Sequence, residues 1–163
     1  MCLSHIRRLS GNNFTGKIPS FIEKWTQIET LHIQGCSFEG PIPSSISRLI
    51  YLKDLRISDL KGGASTFPSL AKMQELTTLV LRNCFIHGKV PDYVGDMKEL
   101  TTLDLSFNNL TGTIPYSRFN VQYMYVNYHY SLLLLINNYD HFTKGVEDPV
   151  KSAQSVRSVR SVL

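Results

Sequence analysis

Four cations and one acid recur in this 163-residue chain at intervals that a single surface can use. Arg8, His32, Arg56 and Asp104 lie at multiples of 24 from one another, and Arg82 stands two residues past the intervening member, Val80. A guanidinium presents a planar fork of donors that matches a carboxylate. Three arginines and a histidine in one ladder therefore suit an acidic peptide or a carboxylate-bearing glycan. They equally suit a plain solvated strand face, and the ladder alone does not separate the two. Asn13-Phe14-Thr15 and Asn109-Leu110-Thr111 are N-glycosylation sequons, again a multiple of 24 apart. The other reactive groups form no constellation. His87, His129 and His141 lack ligand spacing, and no Ser, His and Asp combine in a nucleophile motif. Cys2, Cys36 and Cys84 show neither a zinc nor a disulfide-framework spacing. No catalytic residue, metal or cofactor is expected.

The spacing belongs to the whole chain. Ile28, Leu52, Leu76 and Leu100 each open a segment reading apolar-x-x-apolar-x-apolar, at a period of 24, and counting back places a first unit at Ser4. In that frame position six is Leu9, Ile33, Ile57, Leu81 and Leu105. Position thirteen is Gly16, Gly40, Ala64, Gly88 and Gly112, and position sixteen is Pro19, Pro43, Phe67, Pro91 and Pro115. Matching columns at a fixed period are the signature of a stacked repeat.

Each unit can be read physically. Alternation at positions four to six suits a short strand with one buried face. The glycine at thirteen permits a turn that a Cβ would hinder, and the proline at sixteen fixes φ and ends pairing. Apolar residues at nineteen and twenty-two (Ile46 and Leu49, Val94 and Met97) form one face of a short helical or 3₁₀ segment. One unit cannot bury that face alone, so neighbours stack about 4.8 Å apart into a parallel sheet over a continuous core. Trp25, at position twenty-two, is expected in that core. Positions five and seven face outward; position seven holds Ser10, Gln34, Ser58, Arg82 and Ser106. Position nine reads Asn12, Cys36, Leu60, Cys84 and Asn108. A buried Asn there can hydrogen-bond the turn backbone of adjacent coils, and Cys is a smaller substitute, so Cys36 and Cys84 read as buried structural thiols beyond disulfide reach of each other. The third unit departs from the pattern with DLKGGASTFPSL, which predicts an irregular convex side and a preserved strand.

LTTLDLSFNNLTGTIP (Leu100 to Pro115) resembles the plant-specific class of leucine-rich repeat. LSGNNFTGKIP, LVLRNCFIHGKVPDYVG and the D-L-x-G…F-P turn of the third unit look like the ectodomain of malectin-containing leucine-rich-repeat receptor-like serine/threonine kinases. The resemblance implies an α/β repeat fold, a leucine-rich-repeat solenoid. Its short parallel strands would line the concave face, with helical, 3₁₀ or irregular segments on the convex face. It implies a protein, peptide or glycan ligand on the concave face, a co-receptor, and a place on the extracellular side of the plasma membrane. The kinase is not carried over: the chain has no Gly-rich phosphate loop, HRD loop or DFG triplet. An enzymatic reading therefore rests only on full-length relatives. A secreted inhibitor of cell-wall-degrading enzymes shares the repeat class, and neither a signal peptide nor paired-cysteine caps appear here to favour it.

Composition agrees. Hydrophobic residues are 42% and charged ones 18%, as in a globular protein. The net charge of +4 is spread over the chain, with 12 Lys and Arg against 10 Asp and Glu in residues 1–115, which is no footprint for nucleic acid. Arg7 and Arg8 interrupt any signal-peptide opening, and the five-residue run Leu132–Ile136 cannot span a bilayer. The chain thus reads as an uncapped piece of a larger receptor. Residues 4–115 form about five repeats. Residues 116–137 read as a degenerate repeat or cap, since VQYMYV (121–126) restores the strand pattern at a spacing of 21, and 138–163, ending in SAQSVRSVRSVL, as a disordered tail.

Overall fold

The computed structural model describes residues 5–112 and 123–125. The rest of 116–137 and all of 138–163 lie outside the described residues. Each repeat supplies an inner and an outer strand. In chain order these are β1 (Ile6–Arg8) and β2 (Thr15–Lys17), β3 (Thr30–Ile33) and β4 (Ser37–Glu39), then β5 (Asp54–Ser58) and β6 (Ser65–Thr66). They continue with β7 (Thr78–Arg82) and β8 (Ile86–Lys89), β9 (Thr102–Asp104) and β10 (Asn109–Thr111), and the inner strand β11 (Tyr123–Tyr125).

The inner strands form one parallel six-stranded sheet in the order β1-β3-β5-β7-β9-β11. Leu31, Leu55, Leu79 and Leu103 lie opposite one another across successive strands, a register of one repeat. The last pairing sets Tyr123 against Thr102, a stagger of 21. Burial of the leucine column selects this register. A slip of one residue would turn the whole apolar set to solvent. The four leucines are fully buried, as are Leu52, Leu76 and Leu100 at the head of each repeat. Burying one such side chain is worth roughly 1.5–3 kcal/mol. In the first repeat the column holds Arg7, whose guanidinium lies 5.6 Å from the Trp25 ring centroid. Trp25 is therefore half-buried and packed against the core rather than within it, with Phe21 edge-on at 5.9 Å.

Behind the sheet, Pro19, Pro43 and Pro91 in extended conformation lead into 3₁₀ turns Ser20–Lys24, Ser44–Arg48 and Asp92–Val94. Each turn buries its position-nineteen residue, Ile22, Ile46 or Val94. The third repeat has Phe67 for proline and forms no 3₁₀ turn, yet Leu70 and Met73 stay fully buried. Tyr93 of the next repeat ties this irregular stretch down: its hydroxyl accepts from the Leu70 N–H at 3.2 Å and donates to the Pro68 carbonyl. Burial pushes the Tyr93 hydroxyl above its ordinary pKa.

The position-thirteen glycines serve two purposes. Gly16, Gly88 and Gly112 adopt positive φ. Gly40 does not; a Cβ on it would stand 3.1 Å from the Gly62 carbonyl oxygen and 3.3 Å from that of Gly63. The outer strands accordingly split into a pair, β2-β4, and a trio, β10-β8-β6, joined between them by the single bridge Glu39–Lys61.

Position nine behaves differently at the two ends of the stack. The Asn108 side-chain nitrogen donates to the carbonyls of Leu81, Leu105 (2.9 Å) and Ser106 (3.3 Å), and its oxygen accepts from the N–H groups of Cys84 (3.0 Å) and Ile86 (3.1 Å). Asn12, at the other end, is exposed and bonds only its own turn, through the carbonyls of Leu9 and Ser10. No described coil lies on its far side to enclose it. Cys36 and Cys84 are buried free thiols that donate across the coils to Leu9 (2.9 Å) and Ile57 (3.4 Å) carbonyls.

Candidate ligand-binding face

Residues at positions three and five of each inner strand point away from the core, because side chains alternate along a strand. Parallel register then stacks like positions: Arg8 beside His32, His32 beside Arg56, Arg56 beside Val80, Val80 beside Asp104. The structure assembles the ladder but couples its members unevenly. Asp54, at position three, reaches His32 Nε2 with one oxygen at 2.9 Å and accepts from Arg56 Nε on the other at 2.8 Å. His32 and Asp54 are only 14% and 25% exposed on their side chains. This acid, overlooked in a reading confined to positions five and seven, neutralises the middle of the arginine row. Its place two residues before Arg56 on the same face was the available signal.

The other members have separate surroundings. Arg8 is exposed on β1. Val80 is buried in mid-row. Asp104 folds back onto Ser106, accepting from its N–H at 2.9 Å and its hydroxyl at 2.6 Å. Position seven is not a uniform outer row: Ser58 and Ser106 are buried, while Arg82 is exposed with its guanidinium 4.6 Å from the Phe107 ring centroid. Cation over aromatic face is an attractive arrangement.

Along one rim of the sheet, position eight is left-handed throughout, at Gly11, Gly35, Asp59, Asn83 and Phe107. Asn and Asp tolerate that conformation; for Phe it costs roughly 1–2 kcal/mol. Asn83 donates to Asp59 at 3.0 Å, and Ser58 donates to the other oxygen of Asp59 at 2.8 Å. Along the opposite rim, position two forms an alternating ladder: His5 to Glu29 at 3.1 Å, then Lys53 to Glu29 at 3.0 Å. The Lys53 hydrogen bond, with His5 beside it, holds the Glu29 carboxyl below its ordinary pKa, and Glu29 raises that of Lys53. Both groups face water, so the pair is worth little to stability.

Asn13 and Asn109, at position ten, are exposed on the flank beyond the position-eight rim. The buried Cys84 thiol is pushed up to about 12, by desolvation first and the Asp59 charge second, which leaves it protonated and inert. Among the described residues no group of three or more His, Cys, Asp or Glu is placed to hold a metal. No helix among them is long and apolar enough to cross a membrane.

Residues 8–25, 27–49 and 99–119 match the family model described as Leucine Rich Repeat. Those stretches carry leucine-rich repeats. They are similar in sequence to repeats of plant leucine-rich-repeat receptor-like kinases. Over 56 residues the sequence is 54% identical to a probable LRR receptor-like serine/threonine-protein kinase of Arabidopsis thaliana, a match covering 34% of this chain and 5% of that relative. Among solved structures, the Arabidopsis receptor kinase HAESA, in complex with the peptide hormone IDA and the co-receptor SERK1, superposes with a TM-score of 0.71. Identity there is 32%, over 75% of this chain and 21% of that one. The Arabidopsis BIR3–SERK2 complex gives a TM-score of 0.61 at 27% identity, over 74% of this chain and 66% of that one. The matches span only 5% of that receptor-like kinase and 21% of the HAESA chain.

Proposed function

We propose that this chain is part of the extracellular, ligand-engaging solenoid of a plant receptor-like kinase, with residues 4–115 as its repeats, and that it binds without catalysing. The observation that carries the reading is the open face of the inner sheet. There the parallel, in-register strands set Arg8, the part-buried His32–Asp54–Arg56 cluster and the Arg82–Phe107 pair on or beside one face, in a fold otherwise occupied with its core. Preorganised polar groups on a rigid sheet suit recognition of a peptide, a protein or a glycan, and the kinship with ectodomains solved with a peptide hormone and a co-receptor supports the first two. Membership of the malectin-containing subfamily belongs to this proposal and rests on the D-L-x-G…F-P turn of the third repeat.

The test is binding of the full chain to the SERK1 ectodomain and to a panel of synthetic secreted plant peptides, by surface plasmon resonance. Binding by the wild-type chain is expected to fall at least tenfold when Arg56 and Arg82 are both changed to Glu. A bound partner whose affinity is untouched by that double reversal would remove the sheet face from the proposal.

A further inference from the structure

The flank next to that face carries a feature of its own. We propose that Asn109 bears an N-linked glycan whose first N-acetylglucosamine rests on the exposed ring of Phe107. The proposal depends on the extracellular reading above, since the modification occurs in the secretory route.

Phe107 is the most exposed of the large apolar side chains among the described residues, at 56%. It holds a left-handed φ of 60° that disfavours any residue with a Cβ. The ring stays outside the buried core, and the Arg82 guanidinium lies 4.6 Å from its centroid. Two residues on, Asn109 is exposed, and Thr111 completes the sequon on the same side of β10, with Leu110 turned inward. Between ring and acceptor stands Asn108, buried and pinned by its bonds to two neighbouring turns. With Asn108 buried, Phe107 and Asn109 are the exposed residues on either side of it, and the proposed sugar would lie between them. The C–H bonds on a sugar face carry slight positive charge, and the aromatic face is negative, so the two attract as they shed water.

The other sequon is an internal control. Asn13 is exposed too, but the residue two before it is Gly11, which has no ring, Asn12 between them is exposed and bonded only locally, and the neighbouring Phe14 ring is stacked on Phe38 at 5.9 Å. In the transfer, Asn109 Nδ2 bonds to the anomeric carbon of an oligosaccharide carried on a lipid diphosphate. That carbon's bond to the diphosphate oxygen breaks, the diphosphate leaves, and the amide gives up one proton.

The experiment secretes the full chain from plant cells behind an added leader, as wild type, Asn13→Gln, Asn109→Gln and Phe107→Gly. Glycine takes the positive φ without strain, so the last variant keeps its fold. Glycopeptide mass spectrometry reads occupancy, and thermal unfolding before and after enzymatic deglycosylation reads the contact. Asn109 is expected to be occupied, and removing its glycan to lower the Tm of wild type and Asn13→Gln by roughly 3–6 °C. In Phe107→Gly the same treatment is expected to shift Tm by less than a third as much. A bare Asn109 in the secreted wild type, or an equal shift with and without the ring, overturns the proposal. The chain isolated from its own tissue keeps the two ideas apart. No glycan at either sequon there overturns the extracellular reading, whereas a glycosylated Asn13 beside a bare Asn109 overturns this one alone.

Discussion

The inner and outer strands of this solenoid are made by the same repeat, yet one set runs unbroken and the other divides. Across the inner sheet each strand meets its neighbour in register, from β1 to β11. The outer ladder parts between β4 and β6, where Gly40 presses on the backbone of Gly62 and Gly63. The difference lies in what each asks of the sequence. The inner strands need only apolar residues at alternate positions, and four of the five repeats supply leucine at position four. The outer strands must also pass one coil over the next through a turn, and there Gly62 and Gly63, at positions eleven and twelve of a unit of unchanged length, change the path. Backbone contact survives at the gap, since Lys61 N–H still donates to the Phe38 carbonyl at 2.7 Å. What is lost is the regular strand, and the connection is maintained.

That contrast can be broken first at the inner sheet. Leu79→Ala, at a fully buried site in β7, is expected to cost about 3 kcal/mol, read from urea unfolding. A change below about 1 kcal/mol would mean the inner sheet is not the stronger element. Next, Asn108→Ala would strand the buried N–H groups of Cys84 and Ile86 and is expected to cost about 2–3 kcal/mol by the same measurement. Asn12→Ala, at the exposed end of the column, should cost clearly less. At the break, Gly40→Ala forces a Cβ against backbone and is expected to cost about 1–3 kcal/mol. Gly16→Ala, whose Cβ would meet nothing within 4 Å, should cost about 1 kcal/mol through its positive φ alone. Equal losses at the two glycines would show that turn conformation, and not close approach, shapes the outer ladder. The last effect is invisible at neutral pH. The Cys84 thiol ionises near 12 when folded and, unfolded, near 9.0. The folded pKa is the higher, so this contribution is complete below about pH 9 and is lost as pH rises toward 12. Stability measured over that interval should fall less steeply in Cys84→Ala than in wild type.

The sequence made the inner sheet legible in detail. Period, strand positions, the buried column and the irregular third repeat all follow from recurring residue types at 24-residue steps. The stagger of 21 before β11 is already present between Leu100 and Val121. Less was visible wherever a residue's role depends on a neighbouring coil. Trp25 reads as core from its column, but beside Arg7 it is a partly covered end. Asn12 shares a column with Asn108, and no described coil lies beyond it to bury it. On the open face, Arg56 and His32 read as available cations until Asp54 is placed between them. Columns predict orientation well and partners poorly, because a partner is chosen by geometry across two strands. The position-eight rim shows the same limit: nothing in Phe107 as a letter announces a left-handed backbone.

The buried thiols have a practical consequence. A cysteine buried beneath a neighbouring coil reacts with alkylating reagents only during moments when that coil lifts away. Cys36 and Cys84 occupy the second and fourth turns of the stack, so the wild-type protein carries two chemical clocks at different heights. The time each takes to be labelled would report how often its own level breathes. Unequal times would reveal from which end the coil begins to fray, without a single introduced label.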